Sequence, residues 1–356
     1  MTGWTRRDML RTSSAVVAGT MLADVAGAAA TPQPSSEALA HVAPELRPAA
    51  RQIMLLSAQG GPFTDAKLPK LRATGAAGAQ PPLADIPVQT RQVVVGRGRP
   101  DVTVYVVNAR PGGPARPAIL HTHGGGFIVG SAKQELAYLQ QLAKDIDCVI
   151  VTVEYRLAPE TRYTGSIEEN YAGLRWLHAQ APMLGVDRTR IAVMGESAGG
   201  GHAALLAIVA RDRGEVPVAF QSLIYPMLDD RTGGAVRLPP FIGAVGWDGP
   251  ANQYGWRSFL GMAPGTAQVP SAAVPARVAD LRRLPPAFIA VGGVDLFALE
   301  DMMYARRLTE SGVATEFLLV PGAFHGFDRV APETPQAQQF THAKLAALRR
   351  AFATGG

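Results

Sequence analysis

The chain has 356 residues, of which 47% are hydrophobic and 18% charged, and its formal net charge is +5. A chain of this length can bury a large core, so a single α/β domain with additional segments is the default expectation. The charge is small and no basic cluster occurs, which argues against a nucleic-acid-binding surface. The single cysteine, Cys148, excludes an internal disulfide and lies in an apolar run typical of a buried strand.

Residues 1–30 have the layout of a twin-arginine export signal. Arg6 and Arg7 precede an alanine- and glycine-rich stretch at 15–30 that ends in small residues. The alternative is an N-terminal helix of the mature fold. A stable membrane anchor is not expected, because Asp24 interrupts a stretch that is only weakly apolar. Removing this segment takes away three arginines and two aspartates and leaves a net charge of +4. The sequence therefore predicts an exported protein, periplasmic or secreted.

Residues 31–88 show no strand pattern. Helix-like pieces, such as 45–57, are interrupted by prolines and by Gly60-Gly61-Pro62. We interpret this segment as a small helical N-terminal cap, or lid, over a catalytic domain at 89–356. A disordered linker is the alternative that composition leaves open.

The pattern of the remaining residues predicts an alternation of strands and helices. Residues 91–95 and 101–107 predict an antiparallel hairpin across a Gly/Pro turn. After it, short apolar runs alternate with amphipathic stretches, which predicts a mostly parallel sheet of about eight strands with helices on both faces. Further strands are expected at 118–121, 148–153, 191–194, 219–225, 287–291 and 316–320, and helices at 135–145, 168–179, 200–211, 301–311 and 336–352.

The alternation of predicted strands and helices is interrupted in the second half of the chain. Glycine, proline and aromatic residues dominate between Leu228 and Ala287. We interpret residues 229–275 as a cap-like insertion that serves as a lid or pocket wall, because a segment of that length in a compact domain is usually functional.

A nucleophile elbow is predicted at Gly195-Glu196-Ser197-Ala198-Gly199. This G-x-S-x-G motif lies between a strand and a helix, which is the context that distinguishes an elbow from an ordinary turn. The turn must be sharp enough to project the serine hydroxyl, and glycine at both flanks leaves the necessary space. The helix N-terminus behind Ser197 also directs N–H groups toward a developing oxyanion.

An oxyanion loop is predicted at His123-Gly124-Gly125-Gly126-Phe127. A glycine run after a strand exposes backbone N–H groups to a ligand, and HGGG loops accompany nucleophile elbows in lipases and esterases. No Lys-Ser/Thr follows the glycines, so a phosphate-binding P-loop is excluded. Two of these amides, with that of Ala198, would bind the oxyanion. His123 is expected to brace the loop rather than act as a base.

The base and the acid of a serine triad are expected at the carboxyl edge of the sheet. Among seven histidines, His325 lies in a loop just past the last strand, and Asp295 lies just past the strand before it. Ser197, Asp295 and His325 follow the α/β-hydrolase order of Ser, Asp and His. Glu300 and Asp301 are rival acids, although they open the next helix, where carboxylates also interact favourably with the helix dipole.

With these motifs in this order, the chain resembles the hormone-sensitive-lipase-like esterases, which are bacterial family IV of the α/β-hydrolase fold. The resemblance covers about residues 90–350. The matching motifs, in chain order, are His123-Gly124-Gly125-Gly126-Phe127, Glu154-Tyr155-Arg156-Leu157-Ala158-Pro159-Glu160, Gly195-Glu196-Ser197-Ala198-Gly199-Gly200, Tyr225-Pro226-Met227-Leu228-Asp229-Asp230, Asp295 and His325-Gly326-Phe327.

The resemblance implies roles for these residues. It makes Ser197, Asp295 and His325 the triad. Gly125, Gly126 and Ala198 are the implied oxyanion donors, with Gly124 the less certain glycine. In the family, the Tyr155–Glu160 stretch is a structural turn that supports the site, and the N-terminal cap covers the acyl pocket. Two departures occur: the proline that often follows the acid is lost at Leu296, and Glu196 replaces the commoner aspartate.

The predicted function is that of a serine carboxylesterase acting on short- to medium-chain acyl esters through an acyl-enzyme. Two alternatives stay open: an amidase or peptidase on the same scaffold, and a non-catalytic small-ligand receptor of this fold, against which an intact His325 argues. No His/Cys/carboxylate cluster has ligand spacing, so no metal or cofactor is expected. A homodimer through the last strand and helix is an alternative to a monomer.

Overall fold

The computed structural model describes residues 36–354, so the predicted export signal lies outside the described part of the chain. Eight strands, numbered in chain order, form one sheet. They are β1 (Val88–Val93), β2 (Val102–Val107), β3 (Arg116–Thr122), β4 (Val149–Val153), β5 (Val186–Glu196), β6 (Phe220–Ile224), β7 (Ala287–Gly292) and β8 (Thr315–Val320).

The strand order in the sheet is β1-β2-β4-β3-β5-β6-β7-β8. Strand β2 is antiparallel to both of its neighbours, β1 and β4, and every other pairing is parallel. The central strand β3 pairs with β4 and β5, so the loops that follow β3 and β5 leave the sheet side by side at its carboxyl edge. The predicted α/β class, with about eight mostly parallel strands, is confirmed.

Ten helical segments accompany the sheet within residues 36–354. They are α1 (Ser36–Ala40), α2 (Arg47–Gly60), α3 (Leu68–Ala77), α4 (Leu136–Ile146), α5 (Tyr163–Leu184), α6 (Ala198–Arg213), α7 (Gly249–Leu260), α8 (Ala298–Glu310), α9 (Phe327–Val330) and α10 (Pro335–Thr354). Short 3-10 turns occur at Pro44–Leu46, Asp65–Lys67, Ala132–Glu135, Ser271–Ala273 and Pro275–Arg277. No helix among the described residues has both the length and the apolar character needed to cross a membrane.

Helices cover both faces of the sheet, because its strands are apolar on both sides. In β5, Val193 belongs to a core that includes residues of α5, α6 and α8, whereas its neighbours Ala192 and Met194 belong to a core with residues of α4 and α10. Adjacent side chains of a strand point to opposite faces, so a continuous apolar run buries both. This two-sided burial holds the carboxyl edge, and the loops on it, in a fixed frame.

The N-terminal helices α1–α3 pack against the domain that contains the sheet. Arg72 of α3 donates to the carbonyl oxygens of Ile128 (2.9 Å) and Ala158 (2.8 Å) and forms a two-pronged ion pair with Glu160 at 2.8 and 2.9 Å. Phe63, in the loop before α3, packs on aromatic rings of the 229–275 insertion, at 5.5 Å from Trp247. The two segments therefore meet above the carboxyl edge of the sheet.

Several elements have other bounds than the sequence predicts. Helix α5, expected at 168–179, spans Tyr163–Leu184. Strand β5 is longer, since it extends back to Val186. Helix α6 begins at Ala198 rather than at residue 200, and its glycines are packing residues: a Cβ on Gly201 would lie 2.3 Å from the carbonyl oxygen of Met227. The insertion contains a helix, α7, that the Gly/Pro-rich pattern concealed; the Asp248 side chain caps it by accepting from the Ala251 amide at 2.8 Å.

Candidate active site

Ser197 lies at the junction of β5 and α6 in a strained conformation. Its φ is +57° and its ψ is −123°, outside the regions that L-residues commonly occupy. The flanking glycines make the turn possible. A Cβ on Gly195 would lie 2.3 Å from the carbonyl oxygen of Gly199, and a Cβ on Gly199 would lie 2.0 Å from that of Thr122. Neither position accommodates a side chain, as the steric argument for an elbow requires.

The structure brings the three predicted triad side chains together. Ser197 Oγ lies 3.0 Å from His325 Nε2, and His325 Nδ1 lies 2.9 Å from Asp295 Oδ2. The serine and the histidine are 128 residues apart in the chain. They meet because the loops after β5, β7 and β8 all leave the sheet at the same edge. The chain therefore presents a hydroxyl, an imidazole and a carboxylate in hydrogen-bonded series.

Asp295 and His325 are held from several sides. Asp295 is fully buried, and its Oδ1 accepts the Phe297 amide at 2.9 Å, which leaves Oδ2 for the imidazole. The rings of Phe297 and Tyr225 contact the imidazole edge to face, at centroid distances of 5.2 and 4.8 Å. A carboxylate with one oxygen tied to the backbone fixes the direction of the imidazole and favours the Nδ1–H tautomer.

The rival acids have other partners. Glu300 Oε1 accepts the backbone amides of Leu228 (2.6 Å) and Asp229 (3.2 Å) and so braces the segment after β6. Asp301 is fully buried, and neither of its carboxyl oxygens has a hydrogen-bond partner among the described residues. Burial raises the pKa of both carboxyl groups well above the ordinary range. Of the three candidate acids, Asp295 is the one bonded to His325.

The glycine loop after β3 lies directly beside the serine. A Cβ on Gly124 would lie 3.5 Å from Ser197 Cβ and 2.9 Å from the carbonyl oxygen of Glu196. Gly125 and Gly126 have φ values of +116° and +58°. Within residues 36–354, no hydrogen bond occupies the amides of Gly124, Gly125 or Gly126, and the Ala198 amide heads a helix whose first turn has no internal acceptor. These N–H groups are available to an oxygen atom bound at Ser197.

His123 braces this loop from within. Its Nδ1 contacts the Gly124 carbonyl oxygen at 2.8 Å, and its ring stacks on Tyr155 at 4.1 Å. The Tyr155 hydroxyl in turn donates to the His123 carbonyl at 2.7 Å, and the Ala158 amide donates to that of Phe127 at 2.9 Å. Burial lowers the pKa of His123 to about 3, so the imidazole is neutral. The 155–160 turn therefore supports the glycine loop.

A buried polar network behind the serine was not foreseen from the sequence. Glu196 Oε2 lies 2.8 Å from His121 Nε2, and its Oε1 accepts the Tyr138 hydroxyl at 3.1 Å. Lys344 donates to that hydroxyl at 2.9 Å. Burial alone would raise the pKa of Glu196, but His121, with the cations Arg329 and Lys344 behind it, lowers it to about 2. The sequence feature that could have indicated this network is a carboxylate, Glu196, at the end of an otherwise apolar strand.

No group of three or more His, Cys, Asp or Glu side chains in residues 36–354 is arranged to hold a metal ion. What the site offers chemically is therefore a hydroxyl beside an oriented base, a buried carboxylate, and a set of unoccupied backbone amides. That combination is suited to nucleophilic attack on a carbonyl carbon, with stabilisation of the charge that develops on its oxygen.

Comparison with known proteins agrees with this geometry. A family model described as the α/β-hydrolase fold matches residues 119–329. Esterase LipI of Mycobacterium tuberculosis is 36% identical over 238 residues, 65% of this chain and 72% of that protein. Carboxylesterase NlhH of the same species is 36% identical over 243 residues, 66% of this chain and 74% of the relative.

Among solved structures, a bacterial heroin esterase superposes with a TM-score of 0.78 at 34% identity, covering 88% of this chain and 99% of its own. The matched range begins within β3 and extends past His325, so it includes every residue of the candidate triad. The chain belongs to the α/β-hydrolase family, in its hormone-sensitive-lipase-like branch of carboxylic ester hydrolases.

Proposed function

We propose that this protein hydrolyses carboxylic esters with short to medium acyl chains, using Ser197 as nucleophile, His325 as general base and acid, and Asp295 as the group that orients the imidazole. One observation carries the proposal: the hydroxyl, imidazole and carboxylate stand in series at 3.0 and 2.9 Å. The likeness to esterases LipI and NlhH supports the ester as the substrate class.

In the acylation step, His325 Nε2 takes the hydroxyl proton as Ser197 Oγ bonds to the carbonyl carbon. The carbonyl π pair moves to oxygen. The resulting oxyanion accepts hydrogen bonds from the backbone N–H groups of Gly125, Gly126 and Ala198, and Gly124 is a further candidate donor. The imidazolium, beside the buried Asp295 carboxylate, then donates its proton to the alcohol oxygen as the C–O bond breaks. Loss of one oxyanion donor typically costs about 10²–10³ in kcat.

In the deacylation step, His325 deprotonates a water molecule, which attacks the acyl-enzyme carbonyl. The oxyanion forms again at the same amides, the bond to Ser197 Oγ breaks, and the serine regains its proton from Nε2. The products are the carboxylic acid and the free enzyme. No step needs a group beyond the residues named and one water.

The test is hydrolysis of p-nitrophenyl acetate, butyrate and octanoate by the full-length chain, with the Ser197→Ala variant in parallel. The expected result is turnover of the acetate and butyrate by the wild type and no turnover above background by the variant. A folded wild type that hydrolyses none of these esters contradicts the proposal. Turnover of p-nitroanilide analogues at comparable kcat/KM would point instead to an amidase. Binding without any turnover would point to a receptor.

We also propose export through residues 1–30, on the strength of the Arg6-Arg7 pair and the small-residue stretch that follows. The test fuses residues 1–40 to a fluorescent reporter that matures before export, with Arg6→Lys/Arg7→Lys as the matched control. The reporter is expected in the periplasm or medium for the native segment and in the cytoplasm for the control. Equal cytoplasmic retention of both fusions contradicts the proposal.

A further inference from the structure

Trp247 lies between the glycine loop and the loop that carries the catalytic histidine. A Cβ placed on Gly126 would lie 2.2 Å from Cη2 of Trp247 and 2.5 Å from its Cζ2. A Cβ on the preceding residue, Gly246, would lie 3.5 Å from the carbonyl oxygen of His325 and 3.8 Å from its Cβ. This part of the insertion therefore touches both loops that flank the Ser197 hydroxyl.

The indole of Trp247 is held at both ends. Its Nε1–H donates to Asn252 Oδ1 at 3.2 Å, and Asn252, which is fully buried, donates in turn to the Thr232 carbonyl at 2.9 Å. On the other side, Phe63 of the N-terminal cap packs at a ring-centroid distance of 5.5 Å. A bound chain that displaced the indole would have to break this hydrogen bond and separate these rings, so Trp247 acts as a wall.

The chemistry of the site indicates which half of an ester meets this wall. The alcohol oxygen must lie beside His325 Nε2, because that nitrogen protonates it on departure. The carbonyl oxygen must face the glycine loop. The Cη2 and Cζ2 atoms of the indole lie nearest Gly126 of that loop, and the ring packs on Phe63 of the cap. The alcohol oxygen takes the place beside His325 Nε2, which leaves the acyl chain for the side that Trp247 borders.

We propose that Trp247 closes the acyl side of the site and restricts this enzyme to short acyl groups, acetyl and butyryl rather than octanoyl. The inference rests on the proposed ester hydrolysis and adds a specificity-determining residue to it. Gly126 is part of the same device, because its lack of a side chain lets the indole approach the oxyanion loop. A smaller residue at 247 would open the space between Gly126 and Phe63 to a longer chain.

The experiment compares kcat/KM for p-nitrophenyl acetate, butyrate and octanoate in the wild type and in the Trp247→Ala and Trp247→Phe variants. Each methylene that enters an apolar pocket is worth about fourfold, so the octanoate-to-acetate ratio is expected to rise at least about tenfold in Trp247→Ala. The change should appear largely in KM for octanoate. Trp247→Phe, which keeps an aromatic ring but lacks the Cη2 and Cζ2 atoms nearest Gly126, is expected to give a ratio between those of the wild type and Trp247→Ala.

Two controls distinguish a steric restriction by the Trp247 ring from a general loosening of the 229–275 insertion. Phe241→Ala removes another aromatic ring of the same insertion, one that stacks on His41 at 3.8 Å rather than on the glycine loop, and is expected to leave the ratio unchanged. A second series, ethyl, butyl and octyl acetate, lengthens the alcohol instead of the acid and is expected to respond equally in wild type and Trp247→Ala. If Trp247→Ala does not fold, Trp247→Leu serves in its place.

Several outcomes would overturn the inference. They are a wild type that already prefers octanoate, an octanoate-to-acetate ratio that Trp247→Ala leaves within about threefold, and a change confined to the alcohol series. The enzyme is active in each of these outcomes, so they leave the proposed ester hydrolysis intact and refute only the role of Trp247 in restricting the acyl chain. A folded wild type inactive on every ester refutes the proposed function itself, and this inference with it.

Discussion

His202 of α6 offers a quantitative test of how the core behind the active site is packed. Its imidazole is 1% exposed and is surrounded by the rings of Phe127 (5.1 Å), Tyr155 (4.5 Å) and Phe259 (5.3 Å). Neither ring nitrogen has a hydrogen-bond partner among the described residues. Burial therefore lowers the pKa of His202 to about 3, with neighbouring His123 as a smaller cause.

The sign and size of the effect on stability follow from this pKa. In an unfolded chain a histidine protonates near pH 6.5, whereas His202 in the fold resists protonation down to about pH 3. Its contribution to the free energy of unfolding is therefore complete above pH 6.5 and is lost as the pH falls toward 3. At pH 5 the loss amounts to about 2 kcal/mol. His123, with the same lowered pKa, should contribute a similar loss.

The assay is equilibrium urea unfolding at pH 8 and pH 5, followed by tryptophan fluorescence, of the wild type and His202→Phe. Phenylalanine keeps a ring of similar shape and gives up no hydrogen bond. The variant is expected to lose about 2 kcal/mol less than the wild type between the two pH values, because it lacks the buried imidazole of residue 202. Other buried groups, including Glu300 and Asp301 with their raised pKa values, are present in both proteins, so their contributions cancel in this difference.

The matched control is His342→Gln, because His342 lies exposed on α10 and its replacement should leave the pH dependence unchanged. If His202→Phe loses as much stability between pH 8 and pH 5 as the wild type, then His202 takes up its proton in the folded state. The reasoning from burial would then be wrong for this residue.

Three further predictions concern the glycine loop, the cap and the acid. Gly126→Ala should lower kcat/KM by about 100-fold or more, because its Cβ would lie 2.2 Å from Trp247 at a φ of +58° and one misplaced oxyanion donor costs that much; an esterase assay with near-wild-type kinetics would refute it. Arg72→Met should weaken the attachment of the N-terminal cap by about 1–3 kcal/mol, because it removes the hydrogen bonds to two backbone carbonyl oxygens. Limited proteolysis within residues 36–77 measures this, and Glu160→Gln, which removes an ion pair whose carboxylate is largely exposed, should have the smaller effect. Asp295→Asn should lower kcat by about 10³–10⁴ with KM nearly unchanged, as steady-state kinetics would show; a loss below tenfold would remove Asp295 from the mechanism.

The strands of the sheet were predictable because they are short, apolar and β-branched, and because the motif residues directly follow them. The pairing of β3 with β5 explains why motifs at 123–127 and 195–199 lie side by side. Boundaries were less predictable where glycine carries out a packing function. The first turn of helix α6, which begins at Ala198, contains the run Gly199-Gly200-Gly201. The low helix propensity of these glycines is outweighed by close contacts with the Thr122, Pro226 and Met227 segments.

The polar network around Glu196 could not be read from sequence patterns. Its members, His121, Tyr138 and Lys344, come from a strand and two helices far apart in the chain. Each looks ordinary in its own segment. Only their mutual hydrogen bonds make a buried carboxylate tolerable, since an unpaired charge at that depth would be strongly unfavourable.

The sequence by itself determined the α/β class, the order of the candidate triad and the identity of the glycine loop, because hydrophobic period and turn chemistry act over a few neighbouring residues. The tertiary structure decided what depends on distance through space. It distinguished Asp295 from Glu300 and Asp301 as the partner of His325. It also placed Trp247, from an insertion without a recognisable pattern, against Gly126. Contacts between distant segments depend on how whole elements pack, which no local pattern encodes.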